Sequence, residues 1–212
     1  MHKNRKIVTI GLAVVGLLAT GLLQAQQQTG PMSFFLTSAG SGNGADLGGL
    51  EGADAICQSL AESVEAGDRT WHAYLSTQGE NAVNARDRIG SGPWFNANGN
   101  RIAVNLDDLH STQNRVSGYS ATDERGRKIP GAGFAPNRHD ILTGSQVDGA
   151  AYSADEDMTC KNWTSSSDDD KARVGHHDYA GWNSTHDSRG CSQTALQSSG
   201  GDGLFYCFAV EE

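Results

Sequence analysis

From residue 33 onward the apolar positions come in short bursts separated by polar, Gly-rich stretches, and the spacing within each burst predicts its element. Ser33-Phe34-Phe35-Leu36-Thr37 is aromatic and apolar and predicts a first strand. Residues 40–49 read as a loop. Leu50, Ala53, Cys57, Leu60 and Val64 then recur at steps of three and four, one face of a helix closed by Gly67. Trp71, Ala73 and Leu75 alternate with His72, Tyr74 and Ser76, the pattern of a half-buried strand. Trp94-Phe95 and residues 101–104 flank Asn98-Gly99, a tight hairpin turn, and residues 105–110 predict a short helical turn. Residues 111–136 are polar and Gly-rich, with Val116, Tyr119, Ile129 and Phe134 as apolar anchors. That stretch is expected to be a long surface excursion, of the kind that is functional or disordered inside a compact domain.

The C-terminal half predicts short strands over residues 140–145, 158–164 and 173–175. The last burst, residues 203–210, is apolar on both faces: Leu204, Tyr206, Phe208 and Val210 on one, Phe205, Cys207 and Ala209 on the other. Such a strand belongs in the middle of a sheet, since neither side can face water.

The N-terminus changes the compartment. Lys3, Arg5 and Lys6 precede an uncharged apolar run over residues 7–23, and Ala25 follows where a signal peptidase would cut. We therefore expect a signal peptide over residues 1–25, a short polar tether over 26–32, one domain over 33–212, and no membrane span after cleavage. The expected location is secreted, periplasmic or at the cell surface. The remaining 187 residues carry 13 basic and 25 acidic side chains, a net charge of −12. A surface so acidic repels phosphate backbones, so nucleic acid and heparin-like polyanions are disfavoured as partners. Four cysteines, an even count in an exported chain, read as two disulfides, and three pairings are open.

The order of these features resembles the C-type lectin-like domain, with its early helix bearing one cysteine, a central last strand bearing another, and an inner pair bracketing irregular loops. Within that class the pattern is similar to the endostatin-like branch. The stretches that carry the likeness are Thr70-Trp71-His72-Ala73-Tyr74-Leu75-Ser76-Thr77, Arg88-Ile89 with Trp94-Phe95-Asn96, and Leu142-Thr143-Gly144-Ser145. Thr159-Cys160-Lys161-Asn162-Trp163-Thr164 and Leu204-Phe205-Tyr206-Cys207-Phe208-Ala209 complete it. The resemblance implies an α+β, C-type lectin-like fold with long irregular loops and the bridges Cys57–Cys207 and Cys160–Cys191. It also implies a non-catalytic binding module for an extracellular protein or glycan, akin to bacterial surface adhesins. The calcium-binding triplets of sugar-binding C-type lectins are missing: Trp182-Asn183 is followed by Ser184, and Pro136-Asn137 is preceded by Ala135.

Two clusters carry candidate chemistry. Asp168-Asp169-Asp170, with Asp155-Glu156-Asp157 nearby, offers the hard oxygen donors that Ca²⁺ takes, or forms a solvated acidic loop. Trp163, Trp182 and Asn183 beside Asp168, Asp169 and Asp170 form a candidate ligand platform. His176, Asp178, His186 and Asp187, with His139-Asp140 upstream, offer imidazole and carboxylate ligands for a metal. That set supports the alternative of a metal-dependent hydrolase on the His176–Asp187 region; a structural cell-envelope protein is the third reading. No nucleophile elbow and no phosphate-cradling glycine motif occurs, so the chain is expected not to be an enzyme.

Overall fold

The computed structural model describes residues 29–210; the expected signal peptide lies outside them. The architecture is mixed α and β. Strand β1 (Phe34–Leu36) leads to helix α1 (Gly49–Glu62), β2 (Thr70–Ala73), a 3-10 turn at Ala85–Arg88 and the hairpin β3 (Trp94–Phe95) and β4 (Arg101–Ala103). Then come α2 (Leu106–Leu109), β5 (Asp140–Leu142), the single turn α3 (Cys160–Trp163), β6 (Arg173–His176), β7 (His186–Asp187), α4 (Gln193–Ser199) and β8 (Gly201–Val210). Among the described residues no helix is long and apolar enough to cross a membrane.

Strand β8 is the axis. β1 runs antiparallel along one edge, with Phe35 opposite Cys207. Along the other edge β5 runs parallel, with Leu142 opposite Phe205, and β2 runs antiparallel, with Ala73 opposite Cys207. Beyond β5 the sheet continues through β6 to β7. The two apolar faces of β8 feed two cores. Phe205, Cys207 and Ala209 pack with Phe35, Trp71 and the α1 residues Ala53, Cys57 and Ala61. Leu204, Tyr206 and Phe208 pack with Phe34, Tyr74, Trp94, Ile102 and Trp182 under the irregular segments. Strand β2 alternates in burial as a half-buried strand should, and only beyond its end, at Tyr74 and Ser76, do both sides become covered.

Both bridges have the pairing that the resemblance implied, Cys57–Cys207 and Cys160–Cys191. They span 150 and 31 residues, and closing such loops in the unfolded chain is worth at most about 5 and about 4 kcal/mol. Two disulfides also point to an oxidising environment.

Several local expectations need correction. Helix α1 ends at Glu62, before Val64, and Glu65 at φ 62° makes the left-handed reversal rather than Gly67. The strand expected over 158–164 is a left-handed turn, with φ from 49° to 67° at Cys160, Lys161, Asn162 and Trp163. Local side chains compete for the backbone there: Asp157 accepts from Thr159 N and Lys161 N, and Thr159 Oγ1 accepts from Asn162 N. The segment 111–136 is not wholly on the surface. Ala121, Thr122, Asp123 and Glu124 are buried, and Leu36 N donates to Thr122 O at 2.9 Å, so the segment lies against the free side of β1.

Candidate functional site

The sheet's outer wing, β5–β6–β7, gathers the histidines. His139 immediately precedes β5, Asp140 opens it, and the antiparallel register places Asp140 opposite His176. β7 pairs next, setting His186 opposite Val174. The chain between β6 and β7 folds back tightly over Gly175, where a Cβ would sit 2.0 Å from Trp182 O. Three imidazoles therefore converge on one carboxylate. Asp140 Oδ1 lies 3.1 Å from His139 Nε2, 3.2 Å from His176 Nε2 and 3.4 Å from His186 Nε2. His176 Nε2 and His186 Nε2 are 3.0 Å apart, and the His139 and His176 rings stack at 4.3 Å.

The Asp140 side chain is only 2% exposed, and none of its close contacts has hydrogen-bond geometry. Burial pushes the His176 imidazole below its ordinary pKa, and the neighbouring His139 pushes it further; Asp140 opposes both. Asp178 is displaced from the centre. Its Oδ2 accepts from Ala132 N at 2.7 Å and its Oδ1 lies 3.5 Å from His139 Nδ1. Gly131 makes this approach possible, since a Cβ there would meet Asp178 Oδ2 at 2.1 Å.

Beside this cluster lies a groove of about 620 Å³ lined by residues 117–119, 128–131 and 134 from the excursion and by His177, Asp178 and Tyr179 from the β6–β7 turn. Its rim carries Tyr119, Phe134 and Tyr179, all largely exposed, with Lys128 Nζ 4.2 Å from the Tyr119 ring centre. His177, buried at the groove, has no hydrogen-bond partner on either ring nitrogen among the described residues. Burial lowers the pKa of its imidazole, against the upward pull of Asp178.

The chain matches no protein-family model and no curated protein.

The candidate platform is corrected. Trp163 is fully buried and donates from Nε1 to Ser76 O, and Trp182 is 4% exposed and donates to Leu109 O. Each indole satisfies its one polar group inside a core, which is why neither can stack on a ligand. Asn183 is buried too, its amide donating to Tyr74 Oη and to the carbonyls of Gln146 and Val147. Asp168 and Asp169 are exposed, whereas Asp170 is taken by Lys161 and Ser165. Of the expected metal set, His176 and His186 converge. Asp187 does not, because Arg173 at 3.0 Å and Lys171 at 3.5 Å draw its carboxylate away, and Asp178 faces His139 from outside.

Sequence reasoning set His139 and Asp140 beside this set without including them. Their position at the head of a predicted strand is the signal that could have promoted them. Tyr119 and Phe134, expected to anchor the excursion by burial, instead point outward.

Proposed function

We propose that this protein is an exported, non-catalytic binding module of C-type lectin-like fold that docks an extracellular protein in the groove between the excursion and the β6–β7 turn. The nested bridges support the fold assignment: one ties the early helix to the central last strand, the other brackets irregular loops. The groove carries the functional reading. Exposed aromatics clustered around a concavity are the composition of a protein-binding centre, where apolar area is removed from water on docking. Its walls are mainly Tyr119, Ile129, Pro130, Phe134 and Tyr179, too apolar to meet the many hydroxyls of a saccharide. The unpartnered His177 adds a polar position suited to one hydrogen-bonding group on an otherwise apolar side chain. The acidic balance of the chain favours a ligand patch that is neutral or cationic. Its place of action is the periplasm, the cell surface or the secreted milieu, where its disulfides persist.

Arrays of matrix and serum proteins and of glycans, probed with the mature chain and with the triple variant Tyr119→Ala/Phe134→Ala/Tyr179→Ala, test this. The expected result is protein capture that falls at least about tenfold in the triple variant with the melting temperature unchanged. Glycan hits in place of protein hits, or protein capture that the triple variant retains, would overturn the assignment.

A further inference from the structure

We propose that His139, Asp140 and His176 form a site for a zinc-type divalent ion that staples the outer wing of the sheet, with His186 beside it as a further imidazole. The inference is independent of what occupies the groove. Zinc bonds to imidazole nitrogen and carboxylate oxygen are about 2.0–2.1 Å, so four donors placed tetrahedrally around it lie about 3.3 Å from one another. The three Nε2 atoms stand 3.1, 3.2 and 3.4 Å from Asp140 Oδ1, and two of them stand 3.0 Å from each other. The ligand atoms of His139, Asp140 and His176 all fall within 4.8 Å of one another.

The buried carboxylate is a second, independent indication. A carboxylate taken out of water without hydrogen bonds is costly, and a coordinated cation is one of the few things that offsets the cost. The ring orientations agree. His186 Nδ1 lies 3.0 Å from the carbonyl oxygen of Asp187, and a carbonyl can only accept. That contact puts the ring proton on Nδ1 and leaves a lone pair on Nε2, aimed at the cluster. Asp178 stands behind His139 Nδ1 at 3.5 Å, the position of a carboxylate that orients a metal-bound imidazole.

Imidazole nitrogens with a single carboxylate oxygen suit zinc better than calcium or magnesium, which take oxygen shells. The site joins the head of β5 to the end of β6, strands of only three and four residues.

The test uses the mature chain stripped with a chelator and titrated with Zn²⁺, Co²⁺, Ca²⁺ and Mg²⁺ by calorimetry and thermal melting. One zinc per chain is expected to bind, raising the melting temperature by roughly 5–10 °C at hundredfold excess over Kd. Co²⁺ should give the intense visible bands of tetrahedral coordination, and Ca²⁺ and Mg²⁺ should leave the melt unchanged. His176→Ala, with its fold checked by circular dichroism, should weaken zinc by more than about 100-fold; Asp178→Asn should weaken it about tenfold. Zinc binding that a folded His176→Ala leaves intact, an octahedral cobalt spectrum, or no zinc binding at micromolar concentration would each overturn the site.

Discussion

Two carboxylates, one on helix α1 and one at the head of β5, show how differently two regions of the fold are built. Asp54, on α1, accepts from Arg88 through both oxygens at 2.6 and 2.7 Å and from Ala73 N at 2.8 Å. Helix, strand and 3-10 turn are thereby tied together by a partner set that is complete. Asp140, on the outer wing, is more deeply buried, yet its carboxylate has three imidazoles at ion-pair distance and no hydrogen bond among the described residues. The α1 side is self-sufficient, held by apolar packing, a bridge and a satisfied ion pair. The wing is short-stranded and irregular, and it concentrates polar groups that the chain itself does not satisfy. The satisfied contacts concentrate in the first region, and the groove and the clustered imidazoles in the second.

Removing the bridges sharpens this contrast most. The double variant Cys57→Ala/Cys207→Ala should lose about 5 kcal/mol at most, and Cys160→Ala/Cys191→Ala about 4, because the first closes the longer loop. Denaturant unfolding of both variants measures the order, and a larger loss from the second pair would make the shorter bridge the main anchor of the α1-side core instead.

A smaller effect, and one of opposite sign, is expected at the two carboxylates. In chelator at pH 8, Asp54→Asn should destabilise by about 1–3 kcal/mol, since it breaks a charge-assisted pair that is only partly shielded from water. Under the same conditions Asp140→Asn should be neutral or stabilising, because it removes a buried charge that the metal-free chain does not compensate. Equal losses at both positions would erase the distinction between the regions.

The smallest effect is a pH dependence at the loop-covered core. His110 bonds Tyr74 Oη through Nε2 at 2.8 Å, and burial lowers its pKa against the upward pull of its bond to the Leu106 carbonyl. Arg86 pushes it down further, while Asp148 and Asp107 oppose. The unfolded chain therefore takes up this proton first as pH falls. The stabilisation is complete above the ordinary histidine value of about 6.5 and is lost as pH falls through the lower folded value. Thermal melts in chelator should decline over that window, and His110→Gln should flatten the decline.

Much of the stapled region was legible because its determinants are local. The period of α1, the two-faced apolar run of β8 and the Asn98-Gly99 turn each depend on neighbours a few residues away. The helix end was less legible, since Glu65 took a left-handed conformation that nothing in its type announces. At residues 158–164 the apolar content suggested a strand, but side-chain oxygens from Asp157 and Thr159 won the backbone donors.

The sites fared worse for a physical reason. An indole at a loop reads the same in sequence whether it stacks on a ligand or plugs a core; Trp163 and Trp182 plug cores because Ser76 O and Leu109 O lie within reach of their Nε1 atoms. Aspartates read alike as well, and only the positions of Arg173, Lys171 and Lys161 decided that Asp187 and Asp170 would be spent on ion pairs. Composition, periodicity and cysteine count determined an α+β, disulfide-bonded chain with a central final strand. The antiparallel register of β5 with β6, and of β6 with β7, decided which histidines meet. Register brings together residues 36 and 46 positions apart, and no pattern confined to neighbouring residues carries that information.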